Sequence, residues 1–126
     1  MEIGIPSFRL ITNESKNFHV YSLHIRYEDW EHVVEKRYSE FLELHKVIKM
    51  LSKEFNLQVP IFPKKKYWTR IIGKSPEHLE DRRAALENYM RTISTSASAH
   101  QCKFFIEFLG MPVRLRERWA REQSLL

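Results

Sequence analysis

The chain has little cysteine, little glycine and no long apolar run. Its one cysteine, Cys102, can close no internal disulfide and cannot alone form a thiolate metal site, so a reducing, intracellular setting is expected. No stretch approaches the roughly 18 apolar residues of a membrane-spanning helix, and the opening Met-Glu-Ile-Gly-Ile-Pro lacks the basic start and apolar block of a secretory signal. Any membrane business is therefore expected from the water side. Only three glycines occur, none in a phosphate-cradling loop, and the six histidines form no metal-ligand spacing such as His-Glu-x-x-His. With no nucleophile motif either, the sequence reads as a non-enzyme without a cofactor or metal.

What is present fits one compact domain: 126 residues, 43% hydrophobic, 13% aromatic and 29% charged, with a net charge of +5. That excess is local. Residues 60–83 carry seven cations against three acids, whereas residues 1–59 carry eight against nine. A concentrated positive charge favours polyanionic partners: nucleic acid, phospholipid or acidic protein.

Ile5 to Ile11 reads as a strand, Asn13 to Asn17 as a turn, and Tyr21, Leu23, Ile25 and Tyr27 alternate as a half-buried strand. A weaker third strand is predicted over Trp30 to Arg37. Helical spacing then begins at Ser39, read as the N-cap, and Phe41, Leu44, Ile48, Leu51 and Phe55 form one stripe. Pro60 and Pro63 impose an extended loop. Ser75-Pro76-Glu77 opens a second long helix, to Ser94. A shorter helix over His100 to Leu109, stopped by Gly110 and Pro112, is expected to add Phe104, Phe105 and Phe108 to the core. The fold class is thus α+β, with a three-stranded antiparallel sheet packed against a helical subdomain. An extended proline-containing loop joins its two long helices. Residues 1–112 form the domain, and 113–126 read as a basic tail or the start of a linker.

Three clusters carry the functional signal. Lys36-Arg37-Tyr38-Ser39 sets two bases and an aromatic ring where a strand feeds a helix N-terminus, a place where free N–H groups and a guanidinium attract phosphate. Alone, the four residues fit better as a solvated charge pair beside a core tyrosine, and Glu40 weighs mildly against an anion. Lys64, Lys65, Lys66, Arg70 and Lys74 run without an acid among Tyr67, Trp68, Ile71 and Ile72, a mixture suited to an interfacial membrane contact. A nuclear-localisation run or a nucleic-acid patch with stacking aromatics has the same composition, and Pro60 to Pro63 also fits the loose Pro-x-x-Pro ligand pattern. In the second long helix Arg82 projects into the apolar arc of Leu79, Leu86, Tyr89, Met90 and Ile93. A cation there needs a partner, either a distant acid or an anionic or hydroxyl-rich ligand.

In order and spacing, Lys36-Arg37-Tyr38-Ser39-Glu40-Phe41, Val59-Pro60-Ile61-Phe62-Pro63-Lys64-Lys65 and Asp81-Arg82-Arg83-Ala84-Ala85-Leu86-Glu87-Asn88-Tyr89-Met90 resemble the signature segments of the phox-homology (PX) family. Phe104-Phe105-Ile106-Glu107-Phe108-Leu109 falls where that family ends its domain, so the resemblance covers residues 3 to 112. It implies a phosphoinositide-binding module that recruits its protein to endosomal or vacuolar membranes from the cytoplasm, most often through phosphatidylinositol 3-phosphate, for trafficking or fusion. By the same resemblance Arg37 holds the 3-phosphate with Ser39 nearby, Tyr38 stacks on inositol, Lys65 meets the 1-phosphate and Arg82 holds the ring hydroxyls. Lys64, Lys66, Tyr67, Trp68, Arg70, Ile71, Ile72 and Lys74 fall in a membrane-contact loop. Ile61 and Lys64 depart from the family, standing where many members carry prolines. The Lys-Arg-Tyr-Ser and Arg-Arg-x-x-Leu-Glu segments are similar to those of fungal vacuolar SNAREs with an N-terminal PX domain, and a sorting-nexin-like protein is the other narrower match. Trafficking proteins are expected as further partners and nucleic acid is not; a basic nucleic-acid-binding domain, or a protein-interaction module using Pro60 to Pro63, is the alternative.

Overall fold

A computed structural model describes residues 1–54, 60–63, 76–95 and 102–124. Three strands, β1 (Glu2–Thr12), β2 (Asn17–Tyr27) and β3 (Trp30–Arg37), form an antiparallel sheet in the order β1-β2-β3. Four described helices follow, α1 (Tyr38–Glu54), α2 (Pro76–Ser94), α3 (Lys103–Leu109) and α4 (Val113–Ser124).

Both turns of the sheet are built by local chemistry. The Asn13 side-chain oxygen accepts from the amides of Ser15 (3.3 Å) and Lys16 (2.9 Å), closing the β1–β2 turn. Between β2 and β3, Glu28 adopts φ 55° and Tyr27 pairs with Trp30. β1 starts earlier than Ile5, since Glu2, Ile3 and Gly4 pair with Arg26, Ile25 and His24, and its register shifts between Gly4 and Ser7, a bulge that accommodates the missing amide of Pro6. The weakly alternating third strand forms over the expected residues, with Glu31, Val33, Glu35 and Arg37 all on one exposed face.

The buried face of β2 (Tyr21, Leu23, Ile25, Tyr27) meets Phe41, Leu44 and Ile48 of α1 and Leu86, Tyr89, Met90 and Ile93 of α2 in one cluster. Leu79, expected in that arc, is only partly buried. α3 is capped by Cys102, whose sulfur accepts from the Phe105 amide at 3.4 Å, and it ends at Gly110 with φ 73°. The Gly110 and Met111 amides bond back to the Glu107 and Ile106 carbonyls at 3.0 and 3.3 Å. A Cβ at Gly110 would also lie 2.9 Å from the His32 ring, so glycine is required there for both conformation and space.

Three expectations change. Ser39 is not the cap: the helix already includes Tyr38, and the Arg37 amide donates to Glu40 Oε1 at 3.0 Å, which places Arg37 at the cap and Glu40 in the reciprocal position of a capping box. Phe104 is 42% exposed, because a helix that buries Phe105, Ile106, Phe108 and Leu109 has turned position 104 outward. Residues 113–124, read as a tail, form α4, whose Leu115 and Trp119 are buried in the same cluster as the strands and α1. Arg118 reaches Glu28 at 2.5 Å and the Tyr27 hydroxyl donates to Glu122, tying α4 to the β2–β3 turn.

Candidate headgroup site

The end of β3, the first turn of α1, the start of β2 and the first turns of α2 enclose a groove of about 410 Å³. Arg37, Tyr38, Ser39 and Arg82 all line it, so four of the five predicted headgroup residues converge there from two helices and a strand. The fifth, Lys65, lies outside the described residues. So do Lys64, Lys66, Tyr67, Trp68, Arg70, Ile71, Ile72 and Lys74 of the predicted membrane loop.

Each groove side chain is placed by a local cause. Arg37 is exposed at the strand end, and its guanidinium rests 4.0 Å from the Phe18 ring centroid on the neighbouring strand. Glu40, whose charge weighed against an anion, is turned back on the Arg37 amide and lies 3.8 Å from Lys36, so α1 opens with its acid already engaged. Ser39 is exposed at that helix start. The Tyr38 hydroxyl donates to the Pro63 carbonyl at 2.5 Å and its ring stacks on Phe62 at 5.6 Å. Phe62 in turn stacks on His45 at 4.6 Å and meets Tyr89 edge-on at 5.0 Å, which plugs the proline segment into the wall of the site. His45 Nδ1 lies 2.9 Å from the Tyr89 hydroxyl, and burial, with Lys49 adding to it, pushes the His45 pKa down.

Arg82 answers the partner question raised by its place in the apolar arc. Among the described residues neither Arg82 nor Arg37 forms an ion pair; the Arg82 guanidinium instead sits 4.5 Å from the centroid of the Tyr38 ring. The ring is 8% exposed and carries a cation that has no carboxylate partner among the described residues.

Phe18, Tyr21 and His78 also line the groove and were missed as site residues. Tyr21 read as core from its alternation, which is correct for its ring. Only the register, in which Val20 pairs with Arg37 and Tyr21 with Lys36, brings β2 beside the strand end. A larger hollow of about 630 Å³ lies at the other end of the sheet, but Glu2 and Glu31 offset Arg26 and Arg91 there, so it concentrates no positive charge.

Residues 26–112 match the PX domain family model. The chain belongs to the PX domain family. Sorting nexin-24 from Homo sapiens is 33% identical over 112 residues, covering 88% of this chain and 60% of that protein, and sorting nexin-24 from Mus musculus matches to the same extent. The chain thus spans about 60% of the length of these curated relatives. Among solved structures, a designed CISK-PX domain superposes with a TM-score of 0.72 at 28% identity, covering 86% of this chain and 98% of that one. The mouse SNX19 PX domain with bound sulphate ion shares the fold, with a TM-score of 0.62 at 18% identity over 89% of this chain and 97% of that one. PX domains are phosphoinositide-binding modules of membrane trafficking that attach peripherally. No helix among the described residues is long and apolar enough to cross a membrane.

Proposed function

We propose that this domain recognises phosphatidylinositol 3-phosphate and recruits its protein to endosomal or vacuolar membranes. The observation that carries the reading is the pair of cations, Arg37 and Arg82, that line one groove at a helix N-terminus without a carboxylate partner among the described residues. A cation left unpaired by its own fold keeps its full charge for a ligand. Arg37 and the first-turn amides of α1 take the 3-phosphate, with Ser39 beside it. Arg82 turns from the Tyr38 ring to the inositol hydroxyls, and Lys65 meets the 1-phosphate.

Membrane attachment requires more than the headgroup. The cations Lys64, Lys65, Lys66, Arg70 and Lys74 contribute about 1 kcal/mol each near an anionic leaflet, which alone holds a protein no better than high-micromolar affinity. Tyr67, Trp68, Ile71 and Ile72 supply the apolar part of the contact.

Arg37→Ala tests the site. Loss of a charge-assisted bidentate contact costs about two orders of magnitude in affinity for soluble inositol 1,3-bisphosphate, measured by calorimetry. Because the side chain is exposed and holds no ion pair among the described residues, the thermal melt is expected to stay at the parent value. A folded Arg37→Ala protein that binds the headgroup and 3-phosphate liposomes like the parent would place the site elsewhere.

A further inference from the structure

Tyr21 is 0% exposed, and its hydroxyl has no hydrogen-bond partner among the described residues. Arg82 Nε, on a residue lining the same groove, is likewise buried without one among the described residues. The two groups are neighbours: the Arg82 cation opposes the rise that burial imposes on the Tyr21 pKa, through its charge and through a side-chain approach that falls short of a well-aligned hydrogen bond. The phenol stays protonated and able to donate.

Packing does not explain the hydroxyl. The Tyr21 ring is held edge-on by Phe41 at 6.2 Å and contacts Phe8 at 6.0 Å, and a phenylalanine would keep both contacts without burying an unsatisfied polar atom. Two donors left unmade at the floor of a cationic groove are best accounted for by an oxygen that arrives with the ligand.

We infer that the Tyr21 hydroxyl, together with Arg82 Nε, binds one ring hydroxyl of the inositol headgroup and so helps set which phosphoinositide is accepted. This rests on the phosphoinositide reading above. A ring hydroxyl suits the position better than a phosphate: it both donates and accepts, as the phenol does, and a dianion at a closed floor needs more than the one cation found there. A headgroup carrying an extra phosphate at that ring position is accordingly excluded.

The test is calorimetry on Tyr21→Phe with soluble inositol 1,3-bisphosphate and its 4-deoxy and 5-deoxy analogues, beside a thermal melt and the Arg37→Ala protein. Tyr21→Phe is expected to melt at or above the parent temperature and to bind the full headgroup about fivefold more weakly. The parent should discriminate against one deoxy analogue, and Tyr21→Phe should lose that discrimination. Unchanged affinity for the full headgroup overturns the inference. So does a weaker affinity that comes with a lowered melting temperature, or with the parent's discrimination intact, since the hydroxyl then supports the fold and does not touch the ring. If Arg37→Ala binds like the parent, the phosphoinositide site itself has failed, and that outcome is distinct from a failure confined to Tyr21.

Discussion

Arg82 and Arg83 are consecutive residues of one helix with opposite circumstances. Arg83 donates to Glu80 at 2.8 Å and to the Ile5 carbonyl at 2.7 Å, and lies 3.6 Å from Glu87. Glu87 accepts from the Ile5 amide at 2.7 Å, and Arg91 donates to the Ile3 carbonyl at 2.9 Å. This face of α2 satisfies the outer edge of β1 at its bulge, where the ladder would otherwise expose unpaired backbone groups. One residue earlier, about 100° around the helix, Arg82 has a tyrosine ring and no acid among the described residues. Charge type alone does not mark a binding residue. A cation whose partners are all supplied by its own chain is structural, and one left with only an aromatic ring is available to an anion or a polyol.

The contrast can be broken by giving Arg82 what Arg83 has. Leu79 lines the groove one turn before Arg82, so Leu79→Glu places a carboxylate at the i,i+3 position that Glu80 occupies for Arg83. The acid competes for Arg82 and repels phosphate, and headgroup affinity is expected to fall by about two orders of magnitude in calorimetry while the fold persists. Retained affinity would mean that the free state of Arg82 is irrelevant.

A smaller effect is expected on the structural face. Glu87→Gln keeps the shape but weakens the acceptor for the Ile5 amide and removes the charge facing Arg83 and Arg91. Since Glu87 is 19% exposed, a loss of about 1–2 kcal/mol is expected in denaturant unfolding, with headgroup affinity unchanged. The smallest effect belongs to Arg9→Ala. Arg9 and Glu35 pair at 2.5 Å across the outer face of the sheet, but both are solvated, and neither the melt nor the titration should move measurably.

Much of this was legible in the residues, for identifiable reasons. Alternation in β2 and the Ser-Pro-Glu start of α2 are local signals: α2 falls where it was predicted, and β2 covers Tyr21 to Tyr27 but begins earlier, at Asn17. Of the predicted stripe, Phe41, Leu44 and Ile48 are core and Leu51 packs partly buried against it, while Phe55 lies outside the described residues. Arg82 stood out because a cation interrupts an apolar arc. What escaped depends on distant partners. Residues 113–124 look like a basic tail until Leu115 and Trp119, four apart, are seen to pack in the cluster with Phe105 lying 6.2 Å from Trp119. Tyr21 could be assigned to the core but not to the groove, since the strand register that sets β2 beside Arg37 is not written in either segment alone. The different duties of Arg82 and Arg83 depend on Tyr38 and Ile5 meeting α2, contacts 44 residues apart in sequence for Arg82 with Tyr38 and 78 for Arg83 with Ile5.

The central claim, that neighbouring arginines divide into one for the ligand and one for the fold, is tested most directly by Arg82→Gln and Arg83→Gln measured side by side. Each protein is titrated with soluble inositol 1,3-bisphosphate and melted under the same buffer. Arg82→Gln is expected to lose at least about tenfold in affinity with its melting temperature held, and Arg83→Gln to lose stability with its affinity held. A fall in melting temperature for Arg82→Gln with binding retained, or a loss of binding in Arg83→Gln without a loss of stability, would contradict it.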